Sequence, residues 1–155
     1  MSSLMKKIGG GMVVVLIAIQ FIRPAKNVSS GAADPNDITA QHATSPEVKV
    51  ILAKACYDCH SDNTRYPWYA EVQPVGWWLA NHVKDGKRYL NFSQFGSYSS
   101  KRANKRMRDV VKLTKKHTMP MASYTLIHRD AKLTDEEIAT LAAWADSVRA
   151  TIPAQ

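Results

Sequence analysis

The chain has 155 residues, is 45% hydrophobic and 22% charged, and carries a formal net charge of +8 at pH 7. That length suits one domain plus whatever the N-terminus adds, and a cysteine count of two, Cys56 and Cys59, excludes a multi-disulfide scaffold. The excess charge is local: Lys101–Lys116 holds eight basic residues against Asp109, so a basic face sits on a nearly neutral body.

In chain order, Lys6 and Lys7 precede an uncharged apolar run from Ile8 to Ile22, the pattern of an export signal. The run is shorter than the ~20 residues that span a bilayer, but starting at Leu4 with both lysines snorkelling brings it close. Arg23, Pro24 and Lys26 stand where a cleavable signal has small neutral residues. Residues 1–25 are therefore read as an uncleaved transmembrane signal anchor, with a cleaved signal peptide as the alternative. No cysteine follows the run, which excludes a lipoprotein anchor. Either way the remainder is expected in the bacterial periplasm. Residues 26–44, low in large apolar groups, read as a flexible linker, and 45–150 as the folded domain.

Ser45-Pro46 is a cap followed by proline at the first helical position, and Val48, Ile51, Leu52 and Ala55 repeat at helical spacing into Cys56. Residues 61–72 read as an irregular loop. Pro74 starts a second helix through Trp77, Trp78 and Leu79, with Gly86 as its expected stop. Residues 88–100 form a loop. A third helix from about Ser100 to His117 turns Ala103, Met107, Val110, Val111 and Thr114 inward, and Met119-Pro120-Met121 breaks it. Thr134 and Glu137 make a capping box, followed by the stripe Ile138, Leu141, Ala142, Ala145 and Val148. No convincing strand appears, so the fold class is all-α.

Cys56-Tyr57-Asp58-Cys59-His60 is a C-x-x-C-H sequence. Two thiols at this spacing can add to the vinyl groups of one haem, with the next histidine facing the iron. A closed zinc site wants four S/N donors, and no second cysteine pair exists. A dithiol oxidoreductase wants a βαβ context, and the flanks are helical. Haem c attachment happens outside the cytoplasm, which agrees with the export signal. A structural disulfide is the remaining non-haem reading.

The run Ala55–Tyr69, with Pro74-Val-Gly-Trp-Trp78, Leu90-Asn-Phe-Ser93, Met119-Pro120, Tyr124–His128 and Leu133–Glu137, resembles the haem-binding domain family of small bacterial cytochrome-c-like proteins. Gln20-Phe-Ile-Arg-Pro24 is similar to that family too. The resemblance implies a small cytochrome-c-like helical domain around one covalent haem c, preceded by the anchor helix, and says little about partners.

For the second axial ligand the reading is Met119, whose thioether would favour ferrous iron. It follows a helix end, and Met119-Pro120 resembles the Met-Pro ligand loops of small cytochromes c. Met121, where the family more often has proline, is the substitute, and His128, His117 or His82 are the histidine alternatives. Tyr66, Trp68, Tyr69, Trp77 and Trp78 follow the motif closely enough to wall one side of the haem, and Arg65 could meet its propionates. The Lys101–Lys116 helix reads as a solvated face, or as a dock for an acidic redox partner or an anionic membrane surface. Nucleic acid is not expected. The function read from these residues is single-electron transfer without catalysis. A haem-based sensor or peroxidase-like enzyme with a labile distal ligand is the alternative.

Overall fold

A computed structural model describes residues 2–29 and 34–153. Its helices in chain order are α1 (Ser3–Ile19), α2 (Ile38–Gln41), α3 (Pro46–Ala55), α4 (Tyr57–His60), α5 (Val75–Tyr89), α6 (Ser100–Lys115), α7 (Ala122–Thr125) and α8 (Asp135–Thr151), with 3-10 turns at Trp68–Glu71, Phe92–Ser97 and Arg129–Ala131. Among the described residues there is no named strand, only an isolated antiparallel bridge between Val28 and Asn63. The all-α expectation holds.

Local chemistry explains the starts. Ser45, Ser99 and Thr134 accept hydrogen bonds from Val48, Arg102 and Glu137 backbone N–H, and Glu137 returns a bond to Thr134 N at 3.0 Å, closing the capping box. Behind these caps one apolar core forms. Ile51 and Leu52 of α3, Met107 of α6, and Leu141, Ala145 and Val148 of α8 are essentially inaccessible, joined by Phe92 and Trp144. Lys54 of α3 pairs with Glu137 of α8 at 2.5 Å beside it.

Three expectations are corrected. First, the segment 26–44 is not a free linker. Asn27 donates to Ser61 O and Thr64 Oγ1, both at 2.9 Å, Ser29 N bonds Asp62 O at 3.0 Å, and Ile38 is fully buried in the core. Residues 30–33 of that stretch lie outside the described part. One apolar side chain, placed where the core has a gap, outweighs a polar average composition.

Second, the transmembrane anchor is not supported. All of α1 is outside the core, but the helix stops at Ile19 after 17 residues, about 26 Å, against a hydrocarbon layer of ~30 Å. Among the described residues no helix is long and apolar enough to cross a membrane. Its end is tied down: Gln20 donates to Gln73 O at 3.2 Å and accepts from Gln73 N at 2.9 Å, and the Trp77 indole donates to Ile22 O at 2.8 Å. Arg23 and Lys26 both pair with Glu71.

Third, Gly86 does not end its helix but lies inside α5, which runs on to Tyr89. A Cβ there would come 2.5 Å from the Cys59 carbonyl oxygen. The glycine is present so that α5 can lie directly against α4.

Candidate functional site

The C-x-x-C-H run straddles a kink. α3 ends at Cys56, whose φ of −128° and ψ of −47° lie off the helical region, and one further turn, α4, carries Cys59 and His60. That turn is held at its end by side chains: Ser61 Oγ donates to Tyr57 O and Thr64 Oγ1 to Asp58 O, each at 2.7 Å. Cys56, Cys59 and His60 all open on one cavity of about 470 Å³, within the ~300–1,000 Å³ of pockets that enclose small molecules. Its walls are largely apolar: Leu79 and Trp78 from α5, Leu90 and Phe92 from the next turn, Val110 and Leu113 from α6.

His60 is oriented by its own backbone surroundings. Its Nδ1 lies 2.9 Å from the Leu90 carbonyl oxygen. A carbonyl can only accept, so Nδ1 carries the proton and Nε2 keeps its lone pair. Burial pulls the imidazole pKa below its ordinary value, against the opposing pull of the Leu90 and Gly86 backbone groups. The ring is therefore neutral at pH 7, the form that binds a metal.

The cysteines are not an activated dithiol. Burial pushes the Cys56 thiol up to about 12, with Cys59 beside it adding to the shift. Burial and the neighbouring Asp58 charge push Cys59 up to about 11. Reactive redox pairs have the opposite shift, with thiolates stabilised near or below neutrality.

Asp58, an unconstrained position of the motif, proves to be a structural hub. Its buried carboxylate accepts from Arg65 Nε at 3.0 Å, from Arg65 backbone N at 3.1 Å and from Tyr124 Oη at 2.6 Å. Arg65 is thus engaged away from the role expected for it. Burial, then this bond to Asp58, raises the Tyr124 pKa, so the phenol stays protonated and donates. Tyr124 also stacks on His128 at 4.5 Å, and His128 Nε2 lies 2.6 Å from Tyr69 Oη.

Met119 reaches the cavity by way of the end of α6. His117 takes a left-handed φ of 52°, its N–H bonds Thr114 O at 2.9 Å, and Thr118 N bonds Leu113 O at 3.0 Å. This 6→1 and 5→2 pair is the Schellman closure, built with histidine where glycine is usual. It turns the chain back so that Met119, Pro120 and Met121 all line the cavity. Met119 is half-buried, whereas Met121 is 38% exposed.

Of the histidines weighed as ligands, His82 lines the cavity, its ring 4.1 Å from Trp78. His117 is taken up in the exposed turn, and His128 by Tyr69 and Tyr124; neither is among the lining residues. Of the aromatics, Tyr69 and Trp78 line it, together with Tyr89 and Tyr124. Tyr66 and Trp77 bond the 20–29 segment instead, Tyr66 Oη accepting from Asn27 N, and Trp68 is 80% exposed.

Sequence reasoning also missed a cluster at another wall. Arg106 belongs to the basic stretch but lines the cavity, with its guanidinium 3.8 Å over the Tyr89 ring. Its i+3 spacing from Asp109 was the available signal. The remaining basic residues of α6 are exposed, among them Lys101, Lys105, Arg108 and Lys112.

A family model described as a haem-binding domain matches residues 14–147. Comparison with curated proteins and with solved structures gave no match.

Proposed function

Because the chain belongs to the haem-binding domain family it binds haem, and we propose that it is a c-type cytochrome carrying one covalent haem and transferring single electrons in the bacterial periplasm. Thioether bonds to Cys56 and Cys59 would hold the ring, with His60 and Met119 as axial ligands to its iron. The observation that carries this reading is the convergence of both thiols, a neutral imidazole with free Nε2 and a thioether on one apolar cavity.

The residues present fit that group. The cavity is of cofactor size, its wall is mostly hydrocarbon as a porphyrin face requires, and its donors are nitrogen and sulfur. Haem supplies the reversible one-electron change at iron that no side chain here provides. The chain supplies orientation. Leu90 O fixes the His60 ring, Gly86 lets α5 close the proximal wall, and the Schellman turn delivers Met119. Leu79, Phe92 and Leu113 keep water from the ring and so favour the less charged, reduced state. The exposed lysines and arginines of α6 suit an acidic redox partner or an anionic membrane surface. The basic and apolar start of the chain supports export.

A haem-based sensor or peroxidase-like enzyme is the second reading, and the exposure of the distal segment favours it: Met121, Leu126 and Ile127 are 38%, 75% and 60% exposed. A ligand on such a segment can be displaced.

Absorption spectroscopy of protein matured with a haem-attachment system separates the two. Electron transfer predicts a sharp low-spin ferrous spectrum and a weak far-red sulfur-to-iron band in the ferric form. Met119→Ala should abolish that band while Met121→Ala keeps it. The reverse pattern overturns the ligand assignment, and a high-spin ferric spectrum with ready carbon monoxide binding supports the sensor or enzyme.

A further inference from the structure

Haem is an apolar disc with two carboxylates, and attachment through its vinyl groups at Cys56 and Cys59 leaves the propionate edge for the other walls to satisfy. Among the described residues lining the cavity, Arg106 is the one lysine or arginine. Its side chain is 17% exposed, and its Nε is buried without a hydrogen-bond partner. An orphaned N–H of a permanent cation is costly to bury and calls for an acceptor.

The neighbours do not provide one for Nε. Asp109 pairs with Arg106 through Nη1, at 3.5 Å, and also accepts from Tyr89 Oη at 2.6 Å, while Asp85 pairs with Arg88 at 3.0 Å. Neither acid reaches Nε. Tyr89 holds the guanidinium from below by stacking at 3.8 Å, which fixes its plane without using an N–H.

We propose that Arg106 is the positioning residue for one haem propionate, whose carboxylate would accept from the unpartnered Nε–H of the guanidinium held on the Tyr89 platform. The inference rests on the haem reading given above. A guanidinium there offsets the propionate charge and favours the ferrous state, so Arg106 raises the reduction potential, and it keeps the propionate ionised across the neutral range.

The test compares the matured full-length protein with its Arg106→Gln, Arg106→Lys and Lys105→Gln variants by potentiometry between pH 5 and pH 8. Lys105→Gln removes the same charge from an exposed neighbouring position. Arg106→Gln should shift the reduction equilibrium about tenfold towards ferric, ~59 mV for a one-electron couple. It should also introduce a pH dependence from the released propionate. Lys105→Gln should do neither, and Arg106→Lys should recover part of the shift. Equal potentials in Arg106→Gln and Lys105→Gln overturn the role of Arg106 while leaving the haem reading intact; absence of bound haem in the parent protein overturns both. A measurement on the parent protein guards against an unstable variant. An NMR Overhauser contact from Arg106 Nε–H to a propionate methylene supports the assignment, and contacts only to Tyr89 or Asp109 protons refute it.

Discussion

The two walls of the cavity are built to different standards. On the cysteine side, α4 is gripped by Ser61, Thr64, Arg65 and Leu90, and α5 lies on it so closely that only glycine fits at 86. On the methionine side, residues 119–127 hold only one short helical turn, α7, and Met121, Leu126 and Ile127 stay exposed. Its principal tie across the cavity is Tyr124 to Asp58. A covalently held group needs its attachment wall rigid before it arrives, whereas the opposite wall can take its final packing from the group itself. On the proposed reading, the first wall would fix the haem and the second would be the one at which a ligand could exchange.

The largest effect should follow from breaking the tight wall. Gly86→Ala forces a Cβ against the Cys59 carbonyl and should cost about 3 kcal/mol, read as a lower denaturation midpoint in urea. Cutting the tie between the walls comes next. Tyr124→Phe leaves a buried carboxylate oxygen one donor short and should cost about 1–2 kcal/mol, with faster amide exchange across 122–127. Unchanged exchange there would mean the distal wall stands without that bond.

A smaller effect concerns acid. The bond from Lys54, then that from Thr134 N, holds the Glu137 carboxyl below its ordinary 4.5. A depressed folded-state pKa gives stability that is present above the unfolded value and lost as pH falls through the folded one. Stability should therefore decline below about pH 4.5, and Glu137→Gln should flatten that decline in an acid titration followed by far-UV circular dichroism. The smallest effect is at the turn that delivers Met119. His117→Gly removes the left-handed penalty and should stabilise the fold by up to about 1 kcal/mol, read as a higher thermal midpoint, without moving Met119.

Much of the cysteine wall and of the core behind it was legible in the sequence because the signals are local: a capped amphipathic helix leading into C-x-x-C-H, and a capping box that starts the core helix α8. What escaped was tertiary. Glycine near the end of a helical pattern signals either a stop or a close approach, and only the partner helix tells which applies at Gly86. The intervening residues of C-x-x-C-H carry no constraint in the motif, so nothing marked Asp58 as the hub for Arg65 and Tyr124. Ile38 was hidden in polar surroundings, and in the basic run around Arg106 only the i+3 spacing from Asp109 set one member apart. Met119 and Met121 were both found, yet their difference in burial depends on the His117 turn, whose left-handed geometry histidine does not advertise.

Intact-mass spectrometry of the matured, fully denatured protein tests the central claim most directly. The account predicts a chain heavier by one haem, and the unmodified mass when Cys56→Ala and Cys59→Ala are combined. Release of all pigment on denaturation, leaving the parent chain at its unmodified mass, would contradict it.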